Sequence, residues 1–304
     1  MTQPGVWWRL VLGLAVFTVW APPALAGLPF AALTLVARPR RLYEWWAAAV
    51  AAALSVGLLL LPPAGKLQAA TNGYTVLVTA AFVLLTIYWP GRFLGRAVRA
   101  IALGGVATAG LAWAFWGGGF WGSLHREAGH AAGLTARRML AGSPDALALL
   151  APAARAAGDL APAMLVLQTL AGLGLAWAWH QRVAERPLGE PLGPFRELRF
   201  SEHWIWAGVA ALLVWTAPWL ATLKTAALNV VVVTGALYFL RGAAVAAAFA
   251  QVTGIPAGAL VMGGVLAAVL AVPLLVLVPG LWTLGVTDTW LEFRRRFAAR
   301  ANVQ

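Results

Sequence analysis

"NVVVVTGALYFLRGAAVAAAFAQ", residues 229–251, is an apolar run with a single guanidinium, Arg241, past its middle. About 20 residues of helix cross the hydrocarbon of a bilayer, and a soluble domain has no way to cover such a run on every side. Comparable runs recur at roughly 6–24, 27–37, 43–61, 72–89, 100–121, 160–180, 204–222 and 256–287. Of the 304 residues, 62% are hydrophobic and 11% charged, too little polar surface for a soluble domain of that length. The fold class expected is all-α: a polytopic integral membrane helical bundle of about eight spans, within a range of roughly seven to ten, with broken first and last segments. A single integral membrane domain is expected over 1–304.

The first two runs form either one long bent helix or a tight pair, because Ala21-Pro22-Pro23 interrupts them and proline removes a backbone donor. The run at 256–287 is too long for one untilted crossing, and Pro273 and Pro279 are candidate break points. "WWRLVLGLAVFTVWAPPALAG" has the outline of a secretory signal and is read here as the first span.

The net charge of +12 does not point to nucleic acid. Basic residues stand in short clusters beside apolar runs: Arg38/Arg40/Arg41, Arg92/Arg96/Arg99, Arg182/Arg186/Arg196/Arg199 and Arg294/Arg295/Arg296. That is the pattern of cytoplasmic ends, and it suits anionic lipid headgroups. It makes 122–159 a long non-cytoplasmic loop with interfacial helices, and 181–203 a charged cytoplasmic loop without a continuous helix. Membrane lipids are the expected surroundings, and many tryptophans fall near span ends, at headgroup level. Two lysines against twenty arginines suggest a GC-rich bacterial genome and hence the bacterial cytoplasmic (inner) membrane.

Catalytic signatures are sparse. "HREAGH" holds His125, Glu127 and His130, but histidines five apart lie about 140° apart around a helix and do not ligate one metal from it. There is no phosphate-cradling Walker loop, no Gly-x-Ser-x-Gly elbow and no cysteine. None of the acids lies deep inside an expected span, which argues against a carboxylate relay. The chain is expected not to be an enzyme and to need no cofactor or metal.

Arg241 remains. In a span ending at 251 it sits about 15 Å from the end, and it must snorkel, pair or face water. Thr234 and Tyr238 precede it on the same helix face, with Asn229 one turn further and rotated away. Asn229, Thr234, Tyr238 and Arg241 are therefore the candidate ligand-binding set. The plainer reading ends the helix near Gly242 and makes Arg241 a boundary anchor; Ala243 to Ala250, good helix formers, oppose that ending.

"N-x-x-x-x-x-G-A-L-Y-F-L-R-G-A-A-V" from Asn229, "G-V-T-D-T-W-L-E-F-R-R-R" from Gly285 and "LAGLPFAALTLVARPRR" early in the chain resemble the YybS-like family of bacterial membrane proteins. That family is similar to the substrate-binding S-components of energy-coupling-factor transporters. The resemblance implies a small-molecule binding or transport subunit without its own ATPase, working with partner membrane subunits and ATPases. The alternative is a structural or accessory subunit of a larger membrane complex, which small-residue surfaces such as Ala47–Ala53 and Gly242–Ala248 would suit.

Overall fold

The computed structural model describes residues 6–89, 91–139, 144–256, 258–259, 262–264, 266 and 274–293. Its helices are α1 (Val6–Trp20), α2 (Ala24–Val36), α3 (Leu42–Leu60), α4 (Lys66–Tyr88), α5 (Phe93–Trp116), α6 (Phe120–Met139), α7 (Pro144–Val183), α8 (His203–Thr216), α9 (Lys224–Val252) and α10 (Leu274–Leu291). No strand occurs among the described residues. Five stretches of these residues are long and apolar enough to cross a membrane: Leu42–Leu60, Lys66–Tyr88, Phe93–Trp116, Ala156–Val183 and Pro218–Val252. The architecture is that of a polytopic membrane helical bundle. The chain packs as two compact units, Met1–Leu192 and Gly193–Gln304.

In the first unit the two leading runs are a pair of helices, separated at Ala21–Pro23 where two prolines interrupt the backbone donors. α2 packs on α3, α4 and α7 and buries residues around its circumference, among them Leu25, Ala26, Phe30, Leu33 and Thr34. The core gathers Leu25, Leu33, Val78, Phe82, Leu173 and Trp177. Phe82 meets Phe93 and Trp177 edge-on at 5.8 and 6.0 Å, a favoured aromatic arrangement.

Helix pairs cross at glycines. A Cβ on Gly27 would stand 2.4 Å from Ser55 Oγ of α3, one on Gly104 2.3 Å from Val78 of α4, and one on Gly172 2.7 Å from the Leu25 carbonyl of α2. In a lipid medium helices associate by packing rather than by hydrophobic exclusion, so such close approaches are what hold them.

Residues 122–159, where interfacial helices were expected, are helical over most of their described length. α6 and the start of α7 form a helical hairpin, packed on each other, with α6 also touching α4. Polar residues such as Arg126, Glu127 and His130 on α6 lower the hydropathy and give the segment the look of a loop, while the helical backbone continues beneath them. Residues 184–202 do lack a long helix, with a single 3-10 turn at Phe195–Glu197.

In the second unit α9 packs on α8 and α10. The run expected at 204–222 is the short helix α8 followed by a 3-10 segment starting at Pro218. Pro279 does not break the last run; it lies inside α10. Pro273, the other candidate break point, and Arg294–Arg296 lie outside the described residues.

Candidate functional site

α9 continues unbroken through Arg241 to Val252. The reading that ends it near Gly242 is overturned, because Ala243–Ala250 sustain the helix. Arg241 lies about 5 Å past the helix midpoint at 1.5 Å per residue and is 5% exposed. Its Nε donates to Asp288 Oδ2 at 3.0 Å, and its Nη2 donates to the Asp288 backbone carbonyl at 3.2 Å. The Asp288 side chain is 2% exposed. Asp288 lies one residue past the expected apolar run, in the last turn of α10. The apolar run stops at 287, but α10 carries on to Leu291 and takes Asp288 with it.

Two glycines make the pairing reachable. A Cβ on Gly242 would lie 1.7 Å from the Leu281 carbonyl, and one on Gly285 1.9 Å from the Tyr238 carbonyl. α9 and α10 thus touch backbone to backbone beside the ion pair. The Phe200 ring covers it, 5.6 Å from the Arg241 guanidinium carbon and 5.2 Å, edge-on, from the Tyr238 ring. Covering the pair with a ring excludes water and strengthens the attraction between the charges.

Hydrogen-bonding capacity is left over. Arg241 Nη1, the Tyr238 hydroxyl and the Thr289 hydroxyl are buried without a hydrogen bond among the described residues. Tyr238 stands close to both Thr289 and Arg241. Buried polar groups are almost always paired, so a cluster of unpaired ones calls for an explanation.

Of the four expected site residues, the structure brings Tyr238 and Arg241 together on the α10 side of α9. Thr234 is buried against α8, where a Cβ on Gly208 would come 3.1 Å from its hydroxyl. That hydroxyl donates to the Val230 and Val231 carbonyls of its own helix. Asn229 is buried and donates to the Thr225 carbonyl one turn back. Asp288, Thr289 and Phe200 were missed. One signal pointed to the first of them: a lone guanidinium in a span requires a counter-charge, and Asp288 is an acid framed by Leu284, Val286, Trp290 and Leu291.

The other motif serves structure. Glu127 of "HREAGH" accepts the Leu67 N–H at 2.8 Å and so caps the start of α4 from a neighbouring helix. His125 faces Asp159 of α7 at 3.6 Å. Among the described residues no three His, Cys, Asp or Glu side chains gather as a metal set.

At the opposite end of the first unit, Glu44 is 2% exposed and accepts the Arg40 and Glu185 N–H groups. Arg41 reaches Glu185 at 3.1 Å. His180, fully buried, accepts the Leu188 N–H at Nε2, so its neutral ring carries the proton on Nδ1, 3.4 Å from the Thr34 hydroxyl. Arg41, Arg96 and the turn after α7 thus meet at one end of this unit.

The family model described as "Predicted membrane protein (DUF2232)" matches residues 10–289. The chain belongs to this family. The match takes in α2, α9 and Asp288 of α10. No curated protein and no solved structure matches the chain. Two of the motifs quoted above, from Asn229 and from Gly285, are the two helices that meet at Arg241 and Asp288.

Proposed function

We propose that this multi-pass protein is a binding or transport subunit of the bacterial cytoplasmic membrane, of the S-component type and without catalytic activity or an ATPase of its own. Its ligand is a small polar or anionic molecule held beside the Arg241–Asp288 pair. The observation carrying this reading is the buried polar cluster of Arg241 Nη1, which donates no hydrogen bond among the described residues, with the neighbouring Tyr238 and Thr289 hydroxyls, around an ion pair in an apolar bundle. Converging polar groups in apolar surroundings are the usual make-up of a ligand site. Energy for transport would come from partner subunits and ATPases. The YybS-like resemblance supports this reading.

The test is native mass spectrometry of the gently purified protein, wild type against Arg241→Met/Asp288→Leu. That double variant removes the pair without stranding a charge. A bound small molecule present in the wild type and absent from the folded double variant is expected. A wild type carrying no small molecule but a stoichiometric protein partner would replace this reading with that of an accessory subunit. The accessory reading draws on α3, whose buried residues are only Glu44, Ala48 and Ser55, leaving most of an apolar helix free for a neighbour.

A further inference from the structure

The first unit holds a second buried arginine, and it has no acid. Arg96 lies in the first turns of α5 and is 4% exposed. Its guanidinium carbon stands 4.5 Å from the centre of the Trp177 ring. Trp177 is fully buried and fixed by its Nε1–H, which donates to the Glu190 carbonyl at 3.1 Å. Gly189, at φ +69°, brings the loop backbone against this stack: a Cβ there would come 3.1 Å from Trp177 and 3.5 Å from Arg96 Nη1. Stacking occupies the face of the guanidinium and leaves its N–H edge to bind.

That edge has no partner. Among the described residues Arg96 forms no ion pair and its side chain donates no hydrogen bond; its Nε is buried and bare. The exposed acid Glu190 lies within electrostatic range but does not pair with it. Arg241, buried to the same degree, has Asp288. Only Nε is a buried atom without a partner, so the edge formed by the two terminal nitrogens is open to an incoming group while no described residue takes it, and such an edge suits an anion.

The helix supplies the rest. α5 has no side-chain cap, and its first N–H groups, those of Phe93, Leu94 and Gly95, take no partner among the described residues. Side chains on a helix lean towards its N-terminus, so Arg96 leans towards those N–H groups. Arg92 and Arg99, four before and three after, share its face and are exposed, and α5 contains no acid. Helix N–H groups and a guanidinium edge together fit tetrahedral oxyanions.

We propose that Arg96 and the N-terminus of α5 form a phosphate-binding site at the basic end of the first unit. The ligand is a phosphate group, offered either by an anionic phospholipid headgroup or by a soluble phosphate compound. Arg96 donates through its edge, the α5 N–H groups complete the cradle, and Arg92 and Arg99 balance the remaining charge.

The test uses the full-length protein. In detergent, after delipidation, inorganic phosphate is titrated and thermal stability followed. In parallel, the protein is placed in nanodiscs of phosphatidylcholine with or without phosphatidylglycerol, and retained lipid is counted by native mass spectrometry. Saturable stabilisation by inorganic phosphate identifies a soluble ligand. One retained phosphatidylglycerol, with no response to phosphate, identifies the headgroup. Either result supports the site if Arg96→Lys weakens the apparent affinity about tenfold, through loss of the two-pronged contact. Should Arg96→Lys not fold, the surface variant Arg92→Ala/Arg99→Ala must show a drop of similar size. No saturable binding of either probe by the wild type, or binding unaffected by these variants, overturns the proposal.

Discussion

Arg241 and Asp288 should stabilise the second unit only as a pair, and the two single substitutions should fail differently. Arg241→Met leaves Asp288 buried without its counter-charge. The carboxylate can relieve its isolation by taking a proton, which costs a free carboxyl about 4 kcal/mol at pH 7 and about 1.5 kcal/mol at pH 5. The loss from Arg241→Met is therefore capped near about 4 kcal/mol at neutral pH and shrinks on acidification. Arginine has no such exit, since it stays protonated. Asp288→Leu should thus cost about 3–5 kcal/mol, with no relief between pH 7 and 5. The double variant Arg241→Met/Asp288→Leu should lie within about 1 kcal/mol of the wild type or above it. Reversible unfolding in mixed micelles at both pH values gives all four stabilities. A double variant less stable than either single one, or an Arg241→Met deficit that ignores pH, would refute this account of the pair.

Other outcomes are expected elsewhere. Gly285→Ala places a methyl against the Tyr238 carbonyl and should destabilise by at least about 1–3 kcal/mol. Gly280→Ala, on the same helix and facing open space, should be neutral or gain up to about 1 kcal/mol; thermal melts of the two variants decide. Glu127→Ala should lower stability by about 1–2 kcal/mol through loss of the α4 cap, and Glu127→Gln by less. The hydrogen bond from Arg41 holds the exposed Glu185 carboxyl below the usual carboxylate range. The small contribution of that bridge should be present above about pH 4.5 and vanish as pH falls through the lowered native value, read as the melting difference between wild type and Arg41→Ala. His180→Phe removes the acceptor of the Leu188 N–H, so exchange at that amide should quicken about tenfold.

Hydropathy made the bundle legible because each span is a local property: "NVVVVTGALYFLRGAAVAAAFAQ" announces a crossing without reference to the rest of the chain. Segment ends were less legible. α4 starts at Lys66 and α7 at Pro144, where polar residues continue the helix past its apolar part. Arg241 was visible as an anomaly, and Tyr238 followed from helix spacing. Asp288 was hidden because its burial depends on Gly242 and Gly285 drawing two helices together across 47 residues of sequence. Thr234 shared the right face in projection, yet α8 claims it, since a helix with two neighbours divides its face between them. Arg96 looked like one more cytoplasmic arginine; only the fold reveals that Trp177 and Gly189 enclose it.

α2 has a consequence for how the chain is made. Its 13 residues extend about 20 Å, short of a bilayer's hydrocarbon, so α2 does not cross alone. Its burial depends on α7, where Gly172 meets the Leu25 carbonyl and His180 meets Thr34. The end of α7, at Val183, is synthesised well after Val36, a delay of between roughly 7 and 30 s at ordinary rates of elongation. Throughout that interval α2 lacks its permanent neighbour and must be lodged at the translocon or against α1 and α3. The nascent chain is thus most open to quality-control proteases before α7 emerges, and substitutions at Gly172 should show first as reduced yield in the membrane.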